Sequence, residues 1–131
     1  MNAEDRRIYV KYRIDSAYKT FEAAKVLAEN NYWNSAVNRL YYSVFYAVNA
    51  ILVSNEIQTK SHSATKSQFS VYFIKTGKLN KKYGKLLSQL FDWRQRGDYG
   101  NVFEYEEKDV MPLFDQVNEM ISEIEKEIKL S

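Results

Sequence analysis

The stretch DWRQRGDYG, residues 92–100, gathers the side chains of this sequence best suited to hold an anion. Arg94 and Arg96 are permanent cations whose forked N–H donors match phosphate geometry. Asp98 follows Arg94 at the four-residue spacing that pairs charges on one helix face. Tyr99 adds a phenol for stacking or proton handling. Tyr83, Leu87 and Leu90 lead into Arg94 at three-to-four spacing, so the spacing points Arg94 toward a core rather than freely into water. An inward guanidinium needs a carboxylate, carbonyls or a bound phosphate, because an unpaired buried charge is costly. Two readings are open. In one, Arg94 pairs with Asp98, Gly97 caps a helix and Asp98-Tyr99-Gly100 forms a turn. In the other, the same contacts frame an anion clamp: Arg94 and Arg96 hold phosphate, Asp98 orients Arg94 and Tyr99 stacks.

A second set of polar and aromatic residues, Ser35, Arg39, Tyr42, Tyr46 and Asn49, shares one helix face. It either packs against another helix of the same chain, with arginine snorkelling, or serves as a dimer or ligand surface. In the ligand reading, Arg39 and Tyr42 give the Arg94 site a second wall. His62, the only histidine, lies in TKSHSATK and reads as a helix-start cap or surface group. Glu123, Glu125 and Glu127 follow a solvated-face pattern with no second ligand cluster, so no metal site is expected. There is no P-loop, GxGxxG or nucleophile motif, so no cofactor is expected either.

Helices must position these groups. Val10, Ile14, Ala17, Phe21, Ala24 and Ala28 recur every three or four residues and predict a helix over about 4–29. Val37, Leu40, Tyr41, Val44, Val48, Ile51 and Leu52 predict a central helix over about 33–54. After a polar connection, Ser61 or Ser63 caps a helix carrying Ala64, Phe69, Tyr72, Phe73 and Ile74, and Gly77 stops it. Asn80 caps a fourth helix ending near Arg96, before Gly97. Beyond the loop GDYGNVFEYEE, the stripe Val110, Leu113, Phe114, Val117, Met120, Ile121, Ile124 and Ile128 predicts the last helix. Pro112 fits its first turn if it starts near Asp109, and an earlier start implies a kink.

The whole chain bounds the answer. It has 131 residues, 45% apolar and 15% aromatic, which suits one domain with a real core, and the scarcity of glycine (4) and proline (1) favours helices over sheet. A net charge of +2 gives no overall argument for nucleic-acid binding, so any such site must be local. The absence of cysteine excludes disulfides and thiolate metal sites and fits a reducing cytosol. MNAEDRRIYV carries no apolar signal core, and AVNRLYYSVFYAVNAILV is broken by Asn38, Arg39 and Asn49, so a soluble cytoplasmic protein is expected.

Read together, AVNRLYYSVFYAVNAIL, KSHSATKSQFSVYFIKTGKL and LFDWRQRGDYG resemble the HEPN domains, particularly the small stand-alone bacterial and archaeal ones. The resemblance lies in the order: an Asn-Arg-x-Tyr-Tyr helix, a Ser-His helix start, a Phe-(x)3-Phe-Ile-Lys-x-Gly ending and an Arg-x-x-x-Asp-Tyr-Gly exit. It covers nearly the whole chain as a single domain, 1–131. It implies an all-α up-and-down bundle of four to five helices, commonly a homodimer. Such proteins are often paired with a minimal nucleotidyltransferase in a toxin-antitoxin system, and many are metal-independent ribonucleases. Their motif is an arginine followed four to six residues later by histidine. Here Asp98, Tyr99, Gly100 and Asn101 follow Arg94 at four to seven residues, and Gly100, Asn101, Val102 and Phe103 follow Arg96. Tyr99 stands where the histidine would be, and a phenol of pKa about 10 is a poor general base. Nucleotide or RNA phosphate binding by Arg39, Tyr42, Arg94, Arg96, Asp98 and Tyr99 is the expectation. A ribonuclease using Arg94 and Tyr99, and a non-catalytic interaction module, are the alternatives.

Overall fold

The structure, a computed structural model, describes residues 1–99 and 103–130, without the side chains of Tyr99 and Leu130. Five α-helices form an all-α bundle, and no strand occurs among the described residues. Helix α1 spans Ala3–Glu29 and opens on Asn2, whose side-chain oxygen accepts the Asp5 N–H at 2.8 Å. Glu4 and Asp5 sit at its positive end. It closes without glycine: Asn31 takes φ 61° and the Tyr32 N–H donates to the Leu27 carbonyl at 2.9 Å. Helix α2, Trp33–Ser54, ends in the same way at Glu56, φ 60°, with the Ile57 N–H donating to Leu52 at 2.9 Å.

α2 touches each of the other four helices, which is why its apolar positions exceed a single stripe. Ala36, Val37, Leu40, Tyr41, Val44, Ala47, Val48, Ile51 and Leu52 are all buried. α5, which packs on α2, buries Val110, Val117, Met120, Ile121 and Ile124. Each such side chain contributes up to roughly 1.5–3 kcal/mol of burial.

Of the two serines expected as caps, Ser61 takes the position, its Oγ accepting the Ala64 N–H at 3.0 Å. Helix α3, His62–Phe69, then widens into a π-helical turn over Ser70–Ile74, with the Lys75 N–H reaching Ser70 O at 2.8 Å. Gly77 at φ 77° ends the segment. Asn80 caps α4, Lys81–Tyr99, through the Lys82 N–H at 2.9 Å.

Two expectations about helix ends need correction. α4 does not stop at Gly97 but runs through it to Tyr99, and Gly97 lies outside the left-handed region. A Cβ built there would stand 3.4 Å from Tyr105 Cε2 and 3.7 Å from Asn34 Cβ, so tertiary packing carries the helix past its glycine. α5, Glu107–Leu130, starts two residues ahead of Asp109, because Asp109 Oδ2 reaches back to accept the Glu106 N–H at 3.0 Å. Pro112 is therefore inside the helix, where its ring removes the N–H that would bond the Lys108 carbonyl. Of the expected loop GDYGNVFEYEE, Gly100, Asn101 and Val102 lie outside the described residues.

Candidate functional site

Leu90, buried on α4, puts Arg94 one turn on along the same face, and the Arg94 side chain is only 15% exposed. Its guanidinium carbon lies 4.9 Å from the Tyr41 ring centre, 5.7 Å from that of Tyr42 and 5.9 Å from that of Phe91. One carboxylate faces it, Asp98, with Oδ2 at 3.7 Å. The Nε atom is buried and has no hydrogen-bond partner among the described residues. An orphaned donor of this kind costs about 1–3 kcal/mol.

Asp98 is shared. Asn38 Nδ2 donates to both of its oxygens, at 3.1 and 3.3 Å, and Asn38 Oδ1 accepts from Arg39 Nε at 3.0 Å and Nη2 at 2.6 Å. Arg39 lies 5.1 Å from the Tyr42 ring centre, so Tyr42 contacts both Arg39 and Arg94. A polar chain Arg39–Asn38–Asp98–Arg94 thus crosses from α2 to α4. It borders an open cleft of about 430 Å³ that Arg39, Ser35 and Asp98 help to line.

The face containing Tyr42 divides along its length. Tyr46 and Asn49 pack within the chain: the Tyr9 hydroxyl donates to Asn49 Oδ1 at 3.0 Å, and Arg13 lies 5.1 Å from the Tyr46 ring centre. Arg39 and Tyr42 turn the other way, toward Arg94. Arg96 does not join them. Two residues along a helix from Arg94, it points to the opposite side, 5.6 Å from the Phe103 ring centre and near the stacked Trp93–Tyr105 pair. The two arginines therefore do not form one clamp. The Tyr99 side chain lies outside the described residues.

His62 occupies a different place from the cap or surface position expected of it. Ser61 does the capping, and the imidazole folds inward, stacked on Phe45 at 4.4 Å between ring centres. Its Nδ1 lies 2.6 Å from the Tyr41 hydroxyl. Burial pushes the Tyr41 phenol up to about 12, against the pull of the neighbouring Arg94. Burial, and then the charge of Arg94, hold His62 below its ordinary 6.5. At neutral pH the cluster thus contains a neutral imidazole, a protonated phenol and a guanidinium. Arg94 has only donors, so the phenol can give its O–H to His62 Nδ1 while its oxygen faces the guanidinium, whose Nε stays without a partner. No local spacing could have revealed this group, since 21 residues separate Tyr41 from His62.

Among the described residues no group of three His, Cys, Asp or Glu stands close enough to hold a metal ion. None of the described helices is long and apolar enough to cross a membrane.

Comparison with known proteins gives consistent matches. A model of the HEPN domain matches residues 10–128. A UPF0332 protein of Thermotoga maritima is 36% identical over 129 residues, 98% of this chain and 96% of its own length. Two Methanocaldococcus jannaschii proteins, each named "putative toxin", align over 96 residues or 73% of this chain. One is 34% identical with 65% of its own length covered, the other 30% identical with 72% covered.

Proposed function

Because the chain belongs to the HEPN domain family, we propose that its Arg94 cluster binds the phosphate of a nucleotide or RNA, within a toxin-antitoxin-type system. The observation that carries this reading is Arg94 itself. Its side chain is 15% exposed and the single carboxylate facing it stands at 3.7 Å, beyond hydrogen-bond length, so its charge is incompletely paired. Aromatic faces on α2 and α4 hold it in position in advance, which lowers the ordering cost of gripping an anion. Arg39, on the same polar chain, is the cation that lines the open cleft. The names of the two archaeal relatives support the toxin-antitoxin setting, and a minimal nucleotidyltransferase is the partner this setting implies. A cytoplasmic homodimer is the form in which the protein would act.

Titration calorimetry with ADP and with a short single-stranded RNA tests the reading. Binding should be lost in Arg94→Ala, with the fold checked by circular dichroism. Unchanged affinity in a folded Arg94→Ala protein rules out this site.

One observation favours a second reading, metal-independent RNA cleavage. The motif position after Arg94 lacks histidine, yet His62 comes to the same cluster from α3 through Tyr41. A neutral imidazole is a competent general base for a ribose hydroxyl, and a fixed guanidinium stabilises the charge that develops on phosphorus. RNA cleavage that resists EDTA and disappears in both Arg94→Ala and His62→Ala would establish it. Pure protein inert toward a broad RNA panel would leave binding alone.

A further inference from the structure

Charge is distributed very unevenly along this chain. From Ile57 to Phe91 there are seven lysines and no acidic residue, which leaves 12 basic and 17 acidic side chains for the rest of the protein. That segment comprises α3, the π-helical turn and most of α4, and between them runs an open groove of about 620 Å³. Lys66, Lys75, Lys81 and Lys85 line it, and no carboxylate does. None of Lys75, Lys81 and Lys85 has an ion-pair partner among the described residues, whereas Lys82, which is outside the groove, is bridged to Glu119. Lys81 opens α4, whose first turn holds no acidic residue, a placement the helix dipole disfavours and a bound polyanion relieves.

The floor is made where α4 closes onto the π-helical turn. A Cβ on Gly84 would stand 3.3 Å from Ile74, and Leu87 continues the apolar strip. Ser67, Ser70 and Ser88 place hydroxyls along the walls. The groove also connects with the Arg94 cluster: the Lys66 ammonium lies 4.9 Å from the Phe91 ring centre, and the same ring lies beneath Arg94 at 5.9 Å. Thirteen residues of α4 separate Lys81 from Arg94, roughly 20 Å of helix, more than one nucleotide covers.

We infer that the α3–α4 groove is a binding track for the backbone of single-stranded RNA, leading to the Arg94 cluster. This rests on the phosphate-binding reading of Arg94 and narrows its ligand from nucleotides in general to a polynucleotide. Unpaired lysines, seryl hydroxyls and an apolar floor are the combination that follows a sugar-phosphate chain without reading its sequence.

The test compares native protein with the triple variant K75Q/K81Q/K85Q, all three lysines being exposed. The probes are a 5′-phosphorylated dinucleotide, a 12-nucleotide oligouridylate and a polyglutamate of equal charge, followed by fluorescence anisotropy over a salt series. The triple variant should bind the 12-mer about tenfold or more weakly. Its slope of log affinity against log salt should fall by about 2, while dinucleotide affinity stays unchanged. The inference is overturned by a 12-mer affinity and salt slope that survive the triple substitution, or by native protein that binds the 12-mer no tighter than the dinucleotide. Polyglutamate binding as tightly, with the same lysine dependence, would overturn it in favour of an acidic protein partner. Failure of the Arg94 reading registers separately, as dinucleotide binding that persists in Arg94→Ala.

Discussion

The Tyr41 hydroxyl lies 2.6 Å from His62 Nδ1, joining the central helix to the first residue of α3. Tyr41 is 1% exposed, so its hydroxyl has no water to replace a lost partner. Tyr41→Phe keeps the ring under Arg94 and removes only the oxygen, leaving Nδ1 of His62 unsatisfied. The expected cost is about 1–2 kcal/mol in urea denaturation. An unchanged denaturation midpoint would mean that the contact contributes nothing to the fold.

The same cluster sets a pH dependence. His62 titrates below its ordinary 6.5 in the folded protein, because burial and then Arg94 disfavour its cation. The unfolded chain therefore takes up a proton first as pH falls below about 6.5. Stability present at neutral pH is lost on acidification through that window, down to the folded midpoint, and is flat above it. His62→Gln should remove this component, so that its stability between pH 7.5 and 5 declines less steeply than that of the native protein. Parallel profiles for the two proteins would contradict the assignment. Proton NMR of the single imidazole gives the folded midpoint directly, and it should rise when phosphate is added.

Arg94 should separate stability from binding. Arg94→Met places an apolar chain of similar length on Tyr41, Tyr42 and Phe91 and abolishes the orphaned Nε, while Asp98 keeps its bonds from Asn38. Stability should be within about 0.5 kcal/mol of native, or higher. Phosphate binding should fall about tenfold to a hundredfold, the size of one charged hydrogen-bonding group. A large loss of stability without loss of binding would make Arg94 a structural residue.

The fold was legible because helix faces are written in local spacing. α1, α2 and the interior of α5 lie where their apolar periods put them, and Asn80, Ser61 and Gly77 act as the punctuation they look like. The inward direction of Arg94 was legible for the same reason, as the continuation of Tyr83, Leu87 and Leu90. What was not read had two sources. The start of α5 is set by a local cap that was passed over, Asp109 bonding Glu106 three residues back, and the widened turn at Ser70–Ile74 has no local signature; only His62, which finds Tyr41 across 21 residues, depends on a distant partner. The pairing of Arg94 with Arg96 fails on geometry alone, since neighbours two apart face opposite sides of a helix.

Gly97 gives the last test, because a helix-stopping glycine and a packed one respond oppositely to alanine. At Gly77, φ 77° demands the left-handed region, and Gly77→Ala should destabilise by about 1 kcal/mol although nothing lies within 4 Å of the added carbon. Gly97 is helical, and the added carbon would meet Tyr105 at 3.4 Å and Asn34 at 3.7 Å, ordinary contact distances. Alanine there recovers helix propensity, so Gly97→Ala should raise stability by about 0.5–1 kcal/mol. A bulkier Gly97→Val should lose that gain by pushing Tyr105 off Trp93, on which it stacks at 4.8 Å. Denaturation of the three variants side by side distinguishes the roles: a Gly97→Ala loss matching that of Gly77→Ala would restore the cap and end α4 before Asp98. In that case Asp98 would no longer stand one helical turn from Arg94, and the carboxylate that faces the guanidinium would have to come from elsewhere.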